Sequence, residues 1–292
     1  MKKGYIYIFL SAFIFSTMEI VSKLISNKIS PYELTFIRFL IGGLILLPFS
    51  IKEIKNKKIK IDFKSFLYFA FTGFLCVSIS MIFFQLAIIY TKASTVAVIF
   101  STNPIFTLPF AYFILKEKFN IKTILSMVLC IIGVIIIFNP FSINPDIIGI
   151  ILSLFAAIAF SLYSVIGRLK IDTYGSTTLT CFSFLIGDIL LLILLLIFKV
   201  PIREISSDII PHIIYLGIIV TGLGYLLYFA AIKETSVVIS SIVFFIKPAL
   251  APILSFILLK EEIPLNTIIG IGFILIGAYI MILSKKKAYI KS

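Results

Sequence analysis

Apolar residues occur along the chain in ten long runs, which are separated by short polar or basic segments. The runs are 18 to 25 residues long, and they lack the strict apolar–polar alternation of a membrane β-strand. A helix needs about 20 apolar residues to cross the hydrocarbon core of a bilayer. The pattern therefore predicts ten transmembrane helices, helix 1 to helix 10, at residues 4–25, 31–49, 66–90, 93–115, 121–138, 147–166, 176–198, 209–232, 235–259 and 265–284.

Composition supports a membrane as the solvent of this chain. Of its 292 residues, 61% are hydrophobic and 13% are charged, and the mean hydropathy is +1.19. Soluble proteins contain roughly 45–50% apolar and about 25% charged residues, so an ordinary soluble domain is excluded. Ten helices also use most of the chain, which excludes a large domain outside the membrane. The sequence predicts an all-α integral membrane protein.

The basic residues predict how the helices are oriented. The net charge of +13 would suggest nucleic acid as the partner of a soluble protein, but here the basic residues flank apolar runs, where they contact anionic membrane lipid. With a cytoplasmic N-terminus, 18 of the 26 Lys and Arg residues lie on the cytoplasmic side and six on the outer side. Because positive charge concentrates in cytoplasmic loops, we expect a protein of the cell membrane with both termini in the cytoplasm. The basic start also resembles a signal peptide, but Glu19 and Lys23 inside the first run favour a retained helix.

The two halves of the chain resemble each other. A shift of 145 positions superposes residues 12–24 on 157–169 and residues 39–42 on 184–187, with several identities. A shift of 144 superposes Pro104 on Pro248 and the Leu-Lys-Glu triplet at 115–117 on the triplet at 259–261. We therefore predict two five-helix repeats, residues 1–138 and 146–284, followed by a basic cytoplasmic tail, residues 285–292. Because five is odd, the second repeat crosses the membrane in the opposite sense, an arrangement typical of secondary transporters.

These features resemble the EamA family of the drug/metabolite transporter superfamily. The resemblance rests on the five-plus-five arrangement, the spacing from Pro31 to Arg38, the mid-helix residues Pro104 and Pro248, and the Leu-Lys-Glu triplets that close helices 4 and 9. It implies a ten-helix metabolite carrier, often an exporter of amino acids or related compounds. It also implies a central cavity between the halves, lined by helices 1, 3, 4, 6, 8 and 9. The resemblance does not identify the cargo, because these motifs are structural.

Two charged residues lie at similar depth in helices 1 and 2. An ionisable side chain inside a membrane is costly and usually faces a cavity or a partner. Glu19 and Arg38 can therefore form a buried ion pair, either as a structural contact between the helices or as part of a substrate site. Lys23 is a competing partner of Glu19, because it lies one helical turn further along the same face.

Asp188 and Lys247 form a second candidate pair, since each lies about 18 Å from the cytoplasmic start of its helix. In the repeat alignment, Asp188 corresponds to Gly43 and Lys247 to Asn103, so the common fold requires neither charge. Charges that break the repeat are the better candidates for cargo recognition. We expect Lys247 to bind the carboxylate of a cargo or to form a structural pair with Asp188, and Asp188 in turn to hold Lys247 in place.

Further polar and aromatic side chains lie at middle depths and are candidates for contact with the substrate. Each has a structural alternative, because Ser and Thr near a proline satisfy the carbonyls that the proline frees and aromatic residues in a Phe-rich chain are mostly packing. Glycines 222, 224, 270, 272 and 277 favour close helix packing. The candidate substrate-binding residues are Lys247, Asn103, Gln85, Tyr163 and Tyr228, and the candidate hinges are Pro104 and Pro248.

The sequence lacks the usual signatures of other functional classes. It has one histidine, His212, no Walker-type glycine loop and no metal-ligand spacing. We therefore predict no catalytic residue, metal or cofactor, and a secondary-active carrier, monomeric or homodimeric, that exports or exchanges small organic metabolites by alternating access. Amino acids and related amphiphilic compounds are the favoured cargo. An intramembrane enzyme and a facilitative channel remain the alternatives.

Overall fold

The computed structural model describes residues 2–91, 93–138, 147–200, 205–259 and 265–286, and all regular secondary structure within these ranges is helical. The helical segments form ten consecutive rods, α1 to α10, several of which are interrupted. The first five are α1 (Lys2–Phe15 and Met18–Ile25), α2 (Pro31–Lys57), α3 (Phe63–Gly73, Phe74–Met81 and Ile82–Tyr90), α4 (Ala93–Phe100 and Asn103–Leu115) and α5 (Ile121–Phe138).

The second five rods follow in the same way. They are α6 (Ile147–Tyr174), α7 (Ser176–Ile197), α8 (Ser207–Ile209, Ile210–Tyr215, Leu216–Gly224 and Tyr225–Glu234), α9 (Val237–Ser240 and Ile242–Leu259) and α10 (Leu265–Lys286). Within the described residues, seven spans are long and apolar enough to cross a membrane, and the apolar stretches Ile121–Ile137, Val237–Leu250 and Leu265–Met281 are shorter. The predicted all-helical class is confirmed.

The outside of the bundle is apolar. Large side chains such as Phe113 (67% exposed), Phe198 (73%) and Ile276 (57%) point away from the protein core. A soluble protein rarely exposes apolar surface on this scale, whereas lipid tails accept it. The chain is therefore a multi-pass membrane protein.

Local sequence explains where two of the rods begin. Ser30 accepts a hydrogen bond from the Glu33 amide and Glu33 accepts one from the Ser30 amide, which forms a capping box before α2. Asp62 and Ser65 form the same arrangement before α3. Each cap satisfies amide groups that a helix start leaves without an intrahelical partner.

The rods pack in a recurring pattern. α5 packs along α10, and α2 packs along α7. α3 contacts α6 and α7, while α8 contacts α1 and α2. α4 contacts α6, while α9 contacts α1. Every one of these contacts joins a rod of residues 2–138 to a rod of residues 147–286.

Glycines allow the closest crossings between rods. A Cβ atom on Gly73 of α3 would lie 2.2 Å from the backbone oxygen of Ser183, and one on Gly187 of α7 would lie 2.7 Å from the backbone of Gly73. Among the glycines that the sequence assigns to close packing, 222, 224, 270 and 277 have neighbours within 4 Å, as predicted. The prediction for Gly272 is wrong, because a Cβ there would meet no described residue within 4 Å. Gly272 lies between the two glycines of α10 that face α5, on another side of the helix.

Several rods depart from regular α-helix near their middle. α3 and α8 each contain a π-helical segment, Phe74–Met81 and Leu216–Gly224, a distortion that is frequent at functional sites. α1 is interrupted at Ser16 and Thr17, α4 at Ser101 and Thr102, and α9 at Ser241. Pro104 directly follows the interruption of α4, whereas Pro248 lies within the continuous segment Ile242–Leu259, seven residues after the interruption of α9.

A carboxylate of α2 caps the beginning of α7. Glu53 Oε2 accepts hydrogen bonds from the backbone amide of Thr178 (2.9 Å) and from its hydroxyl (3.0 Å). Gly175 precedes this turn with φ of +84°, and a Cβ there would lie 1.8 Å from Glu53 Oε1. Glycine is therefore required at this position, both for the backbone conformation and for the approach of Glu53.

We expect Glu53→Ala to lower the free energy of unfolding by about 0.5–2 kcal/mol, because it removes a capping acceptor from the start of α7. The measurement is the thermal unfolding midpoint of purified protein. Lys57→Gln is the control, since it removes only the partner of Glu53 at 3.2 Å and leaves the cap in place. An equal loss in both variants would show that the ion pair, and not the cap, provides the stability.

Candidate functional site

A buried ion pair joins α1 to α9. The ammonium group of Lys247 donates a hydrogen bond to Glu19 Oε1, and the two side chains are only 3% and 4% exposed. Glu19 lies in the first turn of the second segment of α1, directly after the interruption at Ser16 and Thr17. A charge at this depth is costly unless it is paired. The pair is thus both a contact between distant parts of the chain and a concentration of charge inside the bundle.

Aromatic rings surround the ammonium group of Lys247. Its nitrogen lies 5.6 Å from the ring centroid of Phe84 in α3 and 5.7 Å from that of Phe100 in α4. The negative faces of such rings attract a cation. Phe100 also contacts Phe160 and Phe244 at 5.5 and 5.6 Å, so the pair adjoins the aromatic core of the bundle.

The structure corrects the partner predicted for Glu19. Arg38 interacts with Glu19 electrostatically, but the ion pair of Glu19 is with Lys247. Lys23 points elsewhere, because its ammonium group donates hydrogen bonds to the backbone oxygens of Ile88 (2.6 Å) and Thr91 (3.2 Å). Lys23 therefore caps the end of α3, where carbonyl groups lack intrahelical partners.

The predicted pairing of Asp188 with Lys247 is also wrong. Asp188 is 1% exposed, and neither of its carboxylate oxygens has a hydrogen-bond partner among the described residues. α7, which carries Asp188, packs against α2 and α3, whereas Lys247 faces α1. Equal depth in the membrane was the basis of the prediction, but it does not determine which helices are neighbours.

Because Asp188 has no hydrogen-bond partner in the part of the chain that the structure describes, we expect Asp188→Asn to change the free energy of unfolding by less than about 1 kcal/mol, against about 3–5 kcal/mol for a member of a buried ion pair. Transport should also persist. Thermal unfolding and solute exchange in liposomes measure the two effects. A loss of several kcal/mol would show that Asp188 has an ionic partner in the membrane.

Arg38 is fully buried and only partly satisfied. Its Nη1 donates to Thr221 Oγ1 at 3.4 Å and to the thioether of Met18 at 3.9 Å, and the guanidinium lies 4.7 Å from the ring centroid of Phe39. Nε and Nη2 have no hydrogen-bond partner in the described part of the chain. Tyr225 lies beside the guanidinium, but its hydroxyl donates to the thioether of Met81 at 3.1 Å.

Asn103 makes a neutral contact between α4 and α6. Its amide nitrogen donates to the Ala157 backbone oxygen at 3.0 Å, and the Ser161 hydroxyl donates to the Asn103 backbone oxygen at 2.9 Å. In the repeat alignment, Ser161 corresponds to Ser16, whose hydroxyl approaches the Lys247 backbone oxygen at 3.5 Å. The surroundings of Asn103 and Lys247 therefore match in their backbone contacts and differ in charge.

The remaining candidate residues lie around this centre. Gln85 of α3 donates to the Ser22 hydroxyl of α1 at 3.2 Å, one turn beyond Glu19. Tyr228 donates to the Ser164 hydroxyl at 3.2 Å. Tyr163 is fully buried, and its hydroxyl has no hydrogen-bond partner among the described residues.

Sequence reasoning missed several residues of this centre. Ser16 carries a signal in the sequence, because it aligns with Ser161 in the repeat. Phe84 and Phe100 carried none, since the chain has 30 Phe residues. Thr221 and Tyr225 become relevant only when α8 is seen beside Arg38.

Two cavities lie outside the charged centre. One of about 190 Å³ between α4, α5 and α9 is lined by Val98, Thr102, Val134 and Phe245, among others. Another, of about 380 Å³, is bounded by Glu117 at the end of α4 and by Arg168 and Asp172 of α6. Neither is lined by Glu19, Arg38 or Lys247. The described residues contain no group of three His, Cys, Asp or Glu side chains that could hold a metal ion.

Known proteins resemble this chain over nearly its whole length. The sequence model of the EamA-like transporter family matches residues 2–139 and 147–283. A protein of Clostridium kluyveri, named an uncharacterized transporter, is 48% identical over an alignment of 297 positions, which covers 99% of this chain and 96% of the relative. An uncharacterized transporter of Archaeoglobus fulgidus is 28% identical and covers 87% of this chain and 89% of its own length. A solved crystal structure shares the fold with a TM-score of 0.78 at 16% identity, over 98% of this chain and 99% of that one.

Proposed function

Because the chain belongs to the EamA-like transporter family, we propose that it is a secondary-active carrier that exports or exchanges small organic metabolites. Its cargo is an amino acid or a related amphiphilic compound, and it moves by alternating access between two halves. It resides in the cell membrane with both termini in the cytoplasm. The family and the names of the relatives indicate a transporter and argue against an enzyme.

Two inverted five-helix halves provide the moving parts in this proposal. The family model matches the chain twice, once in each half. The contacts of α3 with α6 and α7 correspond to those of α8 with α1 and α2. The π-helical segments of α3 and α8 also correspond under the repeat alignment. These correspondences support a pseudo-two-fold arrangement, in which the halves exchange conformations to open the site to each side in turn.

The Glu19–Lys247 pair is the observation that carries the proposal. Glu19 belongs to the first half and Lys247 to the second, so relative motion of the halves strains this contact. An amino acid can replace it, because its carboxylate can meet Lys247 while its ammonium group meets Glu19. Neither Glu19 nor Lys247 is then left without a partner, and the loss of one partner from a buried pair would cost about 3–5 kcal/mol. The surrounding phenylalanine rings accept an apolar side chain.

Counterflow in liposomes tests the proposal and separates it from its alternatives. Purified protein is reconstituted, loaded with an unlabelled mixture of amino acids and their 2-oxo acid analogues, and exposed to the same compounds in labelled form. A carrier accelerates labelled uptake when the unlabelled solute is inside. A channel shows no such acceleration, and an enzyme converts the solute chemically. Absence of exchange for every compound would contradict the proposal.

The orientation predicts the position of two reporters. Fusions at residue 292 and within residues 52–64 should both report the cytoplasm, because that side carries 18 of the 26 basic residues. Activity of a periplasmic-type phosphatase and fluorescence of a cytoplasmic reporter measure this. An external location of either fusion would contradict the topology and the inverted repeat that depends on it.

A further inference from the structure

Three charged side chains form one buried group, which we call the charge triad: Glu19, Arg38 and Lys247. Glu19 and Lys247 form the ion pair, and Arg38 lies beside them, with its Nη1 3.9 Å from the thioether of Met18, the residue before Glu19. All three are buried. The triad contains two cations and one anion, so its formal charge is +1. Asp188 does not compensate it, since Asp188 has no ionic partner among the described residues.

Two of the three nitrogens of the Arg38 guanidinium have no hydrogen-bond acceptor among the described residues. Arginine has five N–H donors, and here the donors of Nε and Nη2 have no partner in the described part of the chain. Buried polar groups are almost always hydrogen-bonded, and those that are not call for an explanation such as a functional role. A buried, partly unsatisfied cation is the more unusual because charged groups cost most to desolvate.

The contacts that Arg38 and Tyr225 do have are long or weak. Nη1 of Arg38 donates to the Thr221 hydroxyl at 3.4 Å, which is longer than the usual distance of about 2.7–3.2 Å. Nη1 of Arg38 contacts the thioether of Met18, and the Tyr225 hydroxyl contacts the thioether of Met81. A thioether is a weak acceptor, and methionine is flexible enough to yield its place. A carboxylate supplies two strong acceptors and matches the planar fork of arginine. Arg38, Tyr225 and Thr221 thus offer donors from α2 and α8 to one anionic group.

We infer that Arg38 binds a carboxylate of the cargo, and that the cargo carries a net charge of −1. The inference rests on the proposed carrier function and narrows it. A monoanion brings the triad to neutrality, whereas a zwitterion leaves it at +1 and an amine raises it to +2. Met18 adjoins Glu19 in α1, so a small solute can contact Arg38 and the Glu19–Lys247 pair together. The class includes 2-oxo acids and amino acids with a second carboxylate.

The first arm of the test uses the unchanged protein and four probes. Leucine, 4-methyl-2-oxopentanoate and 3-methylbutylamine share a branched side chain and differ in charge, and glutamate is a monoanion that retains an ammonium group. We expect 4-methyl-2-oxopentanoate, glutamate or both to raise the thermal unfolding midpoint and to exchange in liposomes, at least about tenfold better than leucine and the amine. Better binding and exchange of leucine or the amine would overturn the inference and leave the carrier function standing. Failure of every probe and of the wider solute mixture to exchange would instead remove the carrier function.

The second arm tests whether Arg38 is the residue that binds the carboxylate. Arg38→Lys keeps the charge but loses the fork, and we expect it to weaken monoanion binding about tenfold or more, as for the loss of a charged hydrogen bond. Arg168→Lys is the matched control, because Arg168 forms an exposed pair with Asp172, and it should bind the monoanion as the unchanged protein does. If Arg38→Lys does not fold, Tyr225→Phe is used instead. It removes a hydrogen-bond donor of the same carboxylate site and should weaken binding of the monoanion several-fold. Unaltered monoanion binding by a folded Arg38→Lys or, in its place, Tyr225→Phe would overturn the assignment.

Discussion

Single replacement of Glu19 or Lys247 is expected to remove most of the folded protein, while replacement of both restores folding without restoring transport. Lys247→Met leaves the Glu19 carboxylate buried without its partner, and loss of one member of a buried pair costs about 3–5 kcal/mol. Glu19→Leu likewise leaves the ammonium group of Lys247 buried without its partner. In the double variant, apolar side chains of similar volume replace the pair, an exchange that is often neutral or stabilising.

Three measurements separate the structural and functional roles of the pair. They are the yield of monodisperse protein, the thermal unfolding midpoint and counterflow in liposomes. Lys28→Met is the matched control, because Lys28 pairs with Asp208 on the surface, where the side chains are 53% and 50% exposed. Solvent screens such a pair, so this variant should fold and transport normally. A double variant that transports at the unchanged rate would show that the Glu19–Lys247 pair is only structural.

The sequence predicts much of the fold because its strongest signals are local. A membrane helix needs about 20 apolar residues in one stretch, and this requirement places all ten rods near their predicted positions. Helix starts are equally local, as the capping box at Ser30 and Glu33 illustrates. The interruption beside Pro104 follows from the chemistry of proline. The hydroxyls of Ser101 and Thr102 donate to the backbone oxygens of Ala97 and Ile99, which are not the carbonyl that Pro104 frees.

The pairing of charges is not local, and there the sequence misleads. Depth along a helix follows from counting residues, so Glu19, Arg38, Asp188 and Lys247 are correctly recognised as intramembrane charges. Whether two such charges meet depends on which helices are neighbours and how each is rotated. The repeat alignment came closer, because it marks Lys247 as a charge at a position where the other half has Asn103. It could not identify Glu19 as the partner, since α1 and α9 adjoin only in the folded chain.

Glycine shows the same division between local and non-local information. The sequence identifies glycine-rich stretches of α8 and α10 as packing surfaces, and glycines 270 and 277 do face α5. It cannot separate Gly272 from them, because the face of a helix that meets a neighbour is set by the whole bundle. The tightest crossing, between Gly73 and Gly187, lies outside those stretches and was not selected.

Gly73→Ala and Gly272→Ala should therefore have opposite effects on stability. At Gly73 the added methyl group would lie 2.2 Å from the Ser183 backbone oxygen and 2.7 Å from the Gly187 backbone, so α3 and α7 must separate. Backbone atoms cannot turn aside as the end of a side chain can, and overpacking of this kind costs about 1–3 kcal/mol or more. A leucine at Gly73 should prevent folding altogether. At Gly272 the methyl group has open space, and alanine in a helix is about 0.5–1 kcal/mol more favourable than glycine.

Thermal unfolding of the two alanine variants measures this difference directly, and both substitutions add the same group to a membrane helix. The Thr72 and Ser183 hydroxyls, 2.7 Å apart beside the crossing, should lose their hydrogen bond in Gly73→Ala, which adds to its cost. Gly187→Ala should reproduce the loss from the other side, because its Cβ would lie 2.7 Å from the Gly73 backbone. If Gly73→Ala and Gly187→Ala unfold at the midpoint of Gly272→Ala, then α3 and α7 do not cross through these glycines. The approach of Thr72 to Ser183 would then be wrong as well, since it depends on the same close crossing.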